Sequence, residues 1–114
     1  MFITSKVDGT TAVLTARGEI DFDALPELVN ASAALPPSVT EVTWELREAP
    51  FMDIAGLHLL IHQRLACEQA GRKLTVTGLH RQPLHLLEMA QNLFPDGRWN
   101  EFLPDSAAAS EAAA

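Results

Sequence analysis

The chain has 114 residues and a mass of 12.4 kDa, the size of one domain, since single cores usually run to about 100–200 residues. Eight Lys+Arg against 15 Asp+Glu leave a formal charge of −7, a field of the wrong sign for nucleic acid or an anionic membrane surface. With 47% hydrophobic and 20% charged residues the chain can bury a core, which excludes wholesale disorder.

Phe2–Val7 and Thr11–Arg17 are short β-prone runs around the turn residues Asp8-Gly9-Thr10, so the chain is expected to open with a β-hairpin. In Asp23–Leu35, Leu25, Leu28, Ala31 and Leu35 recur near helical spacing, Pro26 is tolerated in a first turn and Pro36-Pro37 closes the segment; this predicts the first helix. Glu41–Arg47 alternates Val42, Trp44 and Leu46 with Glu41, Thr43 and Glu45, the pattern of a half-buried strand. Ile54–Ala70 has helical length, with Asp53 where an N-cap belongs and Gly71 where a left-handed residue ends a helix. Lys73–Thr77 predicts another strand, Pro83 to Asn92 a third helix, and Phe94-Pro-Asp-Gly a turn before a short Trp99–Leu103 segment. The tail 104–114, rich in Ala and Ser, has no large apolar anchor and is expected to be disordered.

Each strand alternates apolar and polar residues, so one sheet face is dry and one is wetter. A doubly wound nucleotide-binding sheet, covered on both faces, would carry unbroken apolar runs instead. The order ββαβαβα therefore predicts a single α/β domain with a mixed four- to five-stranded sheet and helices mainly on one face.

Cys67 stands alone. It excludes an intramolecular disulfide and points to a reducing, cytoplasmic setting, more as a small core residue than as a reactive thiol. The N-terminus lacks the charge and apolar pattern of an export signal, and the longest apolar stretch, Leu57–Ile61, is broken by His58; no membrane span is expected.

No phosphate-loop, dinucleotide, serine-hydrolase or zinc-protease motif occurs, so no catalytic residue and no cofactor is assigned. His58 and His62, at i and i+4, share a helix face. Without a third ligand they read as the wet edge of the helix together with Gln69, since zinc normally takes three or more protein ligands. Leu59, Leu60, Ala66, Cys67 and Ala70 form the face expected to meet the sheet. Leu57, Ile61 and Leu65 form a second apolar face, for a neighbouring helix or a partner. The loop Glu48–Leu57 feeds a strand into an Asp-initiated helix whose first turn contains Gly56. Accessible amides and the positive end of the helix dipole there would suit an acidic or phosphorylated contact; an ordinary capped connection is the alternative.

The piece Phe51-Met-Asp53-Ile54-Ala55-Gly56-Leu57 resembles the hallmark of the anti-sigma factor antagonist (STAS) domain, roughly Phe-hydrophobic-Asp-Ser-[Ser/Thr]-Gly-Leu. Leu14–Asp21 is similar to that family's Gly-x-hydrophobic-Asp segment, and Ala70–Val76 and Leu87–Met89 resemble its fourth strand and third helix. The resemblance covers about residues 5–103 in order and implies one such domain over 1–103. It implies a non-enzymatic binding module that docks a kinase-type, ATP-binding anti-sigma factor around Asp21, Asp53, Ile54, Ala55, Gly56 and Leu57. In the family a hydroxyl residue just before the motif glycine is phosphorylated to break the complex; here that position is Ala55, which offers no oxygen to a γ-phosphate. The readings left open are a permanently competent antagonist, one regulated at another hydroxyl such as Ser5, Thr10 or Ser38, an accessory subunit of a transport ATPase or signalling scaffold, and, least, a metal protein or enzyme using His58 and His62; a homodimer is compatible with each.

Overall fold

The computed structural model describes residues 1–103; the expectation for the tail lies outside the described residues. The elements are β1 (Phe2–Asp8), β2 (Thr11–Arg17), α1 (Leu25–Ala33), β3 (Glu41–Glu48), α2 (Ile54–Ala70), β4 (Lys73–Thr77) and α3 (Arg81–Leu93), followed by 3-10 turns at Pro95–Gly97 and Trp99–Phe102. This is the predicted order ββαβαβα, with four strands in one sheet in the sequential order β1-β2-β3-β4. β1 and β2 pair antiparallel, and β2–β3 and β3–β4 pair parallel.

Alternation decides which side of the sheet is dry. Ala12, Leu14 and Ala16 of β2 and Val42, Trp44 and Leu46 of β3 are all but inaccessible, while Val13, Thr15, Thr43 and Glu45 between them are half-buried. The parallel register sets Ala12 beside Val42 and Leu74, and Leu14 beside Trp44 and Val76. These apolar rows pack against Leu28 and Leu35 from the α1 region and Leu59 and Cys67 from α2. A second cluster of Leu60, Leu87 and Phe102 joins α2 to α3 and the last 3-10 turn.

Helix boundaries follow local chemistry. α2 has its predicted caps, with the Asp53 carboxylate accepting the Ala55 amide and Gly71 at φ 70°. α1 is shorter than predicted because Asp21 turns the chain first: its carbonyl and its Oδ1 both accept the Ala24 N–H. α3 starts at Arg81, ahead of Pro83, which is tolerated because first-turn amides have no intrahelical partner.

At the centre, Trp44 is 1% exposed and its indole N–H donates to Gln63 Oε1 at 3.0 Å. Gln63 is fully buried although it stands next to exposed His62. Burying an indole N–H without an acceptor costs about 1–3 kcal/mol, so this bond ties the middle of α2 to the sheet. Ala66 and Ala70, expected on the sheet side, are half-buried and exposed respectively. Gln63→Ala removes the acceptor and leaves a cavity, and urea unfolding is expected to show a loss of about 2–4 kcal/mol.

Candidate functional site

Two loops leave the C-terminal ends of adjacent parallel strands and meet. Ile20, after β2, forms a parallel bridge with Met52, after β3. Its N–H donates to the Phe51 carbonyl at 3.1 Å and its carbonyl accepts the Asp53 N–H at 3.2 Å. Ile20 and Met52 are fully buried, so the loop before α2 is held as a short extension of the sheet. From α3, the Gln82 carboxamide grips the same residue: Oε1 accepts the Met52 N–H at 2.9 Å and Nε2 donates to the Met52 carbonyl at 2.8 Å. The helix start is also tightly seated, because a Cβ on Gly56 would lie 2.4 Å from Met52 Sδ and 2.8 Å from its Cβ.

These contacts sort the residues expected at a partner surface. Asp53 is exposed, and Ile54 is 56% exposed. Ala55 is wholly inaccessible and Gly56 is buried, while Leu57 is half-buried against the Leu60–Leu87–Phe102 cluster. Asp21 is half-buried and spends Oδ1 on the Ala24 amide. Two aromatics on the joined loops are exposed: Phe51, the first residue of the motif, at 48%, and Phe22, which belongs to no motif, at 55%. Phe22 packs on His58 with ring centroids 5.6 Å apart. The surface presents apolar side chains with carboxylates beside them.

The helix start is less open to anions than the motif suggested. Asp53 Oδ1 accepts the Ala55 N–H at 2.7 Å and the Asp53 carbonyl accepts the Gly56 N–H at 2.9 Å. A carboxylate of the chain's own therefore already sits at the positive end of the helix dipole. A phosphate arriving here would meet a fixed negative charge and amides already engaged.

Elsewhere the titratable side chains serve the fold. Of the second apolar face of α2, Leu57 packs toward α3, Ile61 is half-buried and Leu65 is exposed. His58 and His62 are both exposed, and among the described residues no three His, Cys, Asp or Glu side chains gather into a metal-ligand group. An open groove of about 580 Å³ lies away from the loop, between the second half of α2, β4 and the last 3-10 turn. Its Arg64 donates to the carbonyls of Gly97 and Arg98 and lies 4.8 Å from the Phe102 ring centre. Burial, with the Arg98 charge beside it, pushes the Arg64 guanidinium below its ordinary range, against the pull of Glu101 and Glu68. Arg72 donates to the Val39 and Pro36 carbonyls. Cys67 is buried, and burial pushes its thiol up despite nearby Arg72, so it is held as the protonated, unreactive form. Among the described residues no helix is long and apolar enough to cross a membrane.

Comparison with known proteins gives a consistent picture. The family profile described as "Mlab, STAS domain" matches residues 3–91. No curated protein matches the chain in sequence. Among solved structures, the Bacillus cell fate determinant SpoIIAA in its phosphorylated form is 21% identical, with 86% of this chain and 87% of that chain covered and a TM-score of 0.62. A sulfate transporter family protein from Wolinella succinogenes is 19% identical over 74% of this chain and 69% of that one, with a TM-score of 0.64. An antisigma-factor antagonist STAS domain from Rhodobacter sphaeroides is 17% identical over 68% and 85%, with a TM-score of 0.55. At these identities the likeness is one of fold.

Gln82→Ala removes both hydrogen bonds to Met52 and is expected to cost about 1–2 kcal/mol. Hydrogen exchange checks it locally: the Met52 amide should exchange at least tenfold faster, while amides in β2 and β3 keep their protection relative to global unfolding. Gly56→Ala forces Met52 aside, and its thermal unfolding should show a loss of about 1–3 kcal/mol.

Proposed function

The chain belongs to the STAS family, and from that premise we propose that it is a non-catalytic protein-binding module: an anti-sigma factor antagonist that docks a kinase-type, ATP-binding anti-sigma factor without a phosphorylation switch. The observation that carries this reading is the chemistry of the α2 start, where the exposed residue is Ile54 and the buried one is Ala55. Neither has a hydroxyl. Ala55 stands where the family resemblance places the phospho-acceptor, so a bound kinase has no oxygen there to which a γ-phosphate could be transferred.

The docking surface combines exposed Asp53 and Ile54 at the α2 start with exposed Phe51 and Phe22 on the two joined loops, and with half-buried Asp21 and the Ala55–Leu57 turn beside them. Full burial of a large apolar side chain stabilises a complex by about 1.5–3 kcal/mol, so Ile54 and the two phenylalanines are the anchors. The acidic residues form the rim and select a basic partner surface, consistent with the net charge of −7. Gln82 and Ile20 hold the loop in its bound shape beforehand, which limits the ordering that association must supply.

A second reading keeps the surface and changes the partner to a transport ATPase or another part of a transporter. It is favoured by the fold shared with the sulfate transporter family protein and by the dry, hydroxyl-free contact, which suits a permanent subunit as well as a constitutive antagonist.

The decisive experiment mixes the protein with its ATP-binding anti-sigma factor and follows the complex by size exclusion with and without Mg-ATP, using labelled ATP to detect transfer. The complex is expected to persist in ATP with no label on the chain, and Ile54→Asp to weaken it at least tenfold while leaving the fold intact by circular dichroism. Label on the chain, or full affinity in Ile54→Asp, overturns the proposed mechanism. Absence of a complex with the anti-sigma factor, alongside stable assembly with a transport ATPase, moves the function to the second reading.

A further inference from the structure

β1 is an edge of the sheet, since among the described residues its far side has no neighbouring strand. The hairpin decides which main-chain atoms face outward. Asp8 pairs with Thr11 across a two-residue turn whose first residue, Gly9, has φ 61°, the II′ arrangement in which the flanking residues exchange hydrogen bonds. On the other side of β2, the Thr10 carbonyl accepts the Thr40 and Glu41 amides. Even-numbered residues of β2 therefore face β3 and odd-numbered ones face β1. By the same alternation, Phe2, Thr4, Lys6 and Asp8 use their N–H and C=O groups on β2, and those of Ile3, Ser5 and Val7 point out of the sheet.

The side chains of these three residues lie on the helix-covered face, opposite Ala16, Leu14 and Ala12. The apolar rows thus continue into β1, but there they lose their cover: Ile3 is half-buried, Ser5 is exposed and Val7 is 42% exposed. Natural edge strands are blunted by short length, charged side chains, Pro, a bulge or a covering element. β1 is seven residues long and paired without a break, and within Ile3–Val7 it carries one charge, Lys6.

We propose that a second copy of this chain pairs with this edge, β1 against β1 antiparallel about a two-fold axis midway between the two Ser5 residues, making one continuous eight-stranded sheet. The register is self-complementary. Ser5 faces Ser5 of the partner subunit, and Ile3 faces Val7 of the partner subunit on both sides of the axis. All three pairings join residues whose main-chain groups are free, so the register forms the full set of N–H···O bonds that the edge offers. A slip of one residue sets free groups against spent ones, and a slip of two loses one of the three pairs and separates Ile3 from Val7. The rows Ala12–Val7 and Ala16–Ile3 then run through the interface into the equivalent rows of the other copy. The three edge residues Ile3, Ser5 and Val7 are not among those of the proposed docking surface, so each interaction is probed by its own variants.

Sedimentation equilibrium on the full chain over about 1–200 μM tests the proposal. The expected result is a monomer–dimer equilibrium whose dissociation constant rises at least tenfold in Val7→Lys, a substitution at an exposed position. Because that variant could also disturb the hairpin, Ser5→Cys provides a second measurement. Hydrogen-bonded antiparallel partners lie about 5.5 Å apart at Cα, within the disulfide range, so oxidised Ser5→Cys should run as a covalent dimer on a non-reducing gel. The parent protein, with only buried Cys67, should not. A monomer throughout the range, a dimer indifferent to Val7→Lys, or failure of Ser5→Cys to cross-link overturns the pairing.

Discussion

The site depends on the meeting of two loops at the ends of parallel strands, and one buried residue controls that meeting. Ile20 takes the Asp53 amide and gives its own to Phe51, so the chain before α2 cannot wander from the chain after β2. Parallel neighbours make this possible because their C-terminal ends lie side by side. The apolar side chains of Ile20 and Met52 then close over the bridge and keep water from competing for it. Gly56 permits α2 to start directly against Met52, and Gln82 ties the same backbone to α3. The exposed residues owe their positions to buried ones.

Electrostatics and packing point the same way at the α2 start. Asp53 satisfies a first-turn amide and places negative charge where the helix dipole favours it. That arrangement stabilises the helix and discourages a second anion. The available contact energy then comes from Ile54, Phe51 and Phe22, with the carboxylates governing orientation and choice of partner. An exposed Ile at the tip of a rigid, capped turn costs little entropy to bury, since its β-branch already restricts the side chain.

Much of the fold is legible from local pattern. The alternation in Thr11–Arg17 and Glu41–Arg47 specifies both strands and their dry face, and the capping residues Asp53 and Gly71 mark α2 to the residue. The STAS-like loop is legible too, because its motif is contiguous. What is not legible is held by contacts distant in sequence. Gln63 adjoins an exposed histidine and carries no local sign of burial; its partner is the Trp44 indole, nineteen positions away. Gln82 has no local signature of a clamp; its two bonds span thirty positions. Phe22 and Phe51 become one surface only after Ile20 and Met52 join their loops. The start of α1 fails for a different reason: the Asp21 side chain competes locally for the Ala24 amide.

Sheet order that equals chain order has a consequence for how the molecule is made. Each strand, as it emerges from synthesis, finds the strand it pairs with already in place, and none must be threaded between two that have formed. The hairpin, then the first crossover, then the second can each lock in turn. α3, which follows all four strands in the chain, carries the Gln82 amide that secures Met52. Surface competence is therefore acquired after the sheet: a nascent chain that has paired its four strands still lacks the Gln82 clamp on the loop through which the proposed partner would be recognised.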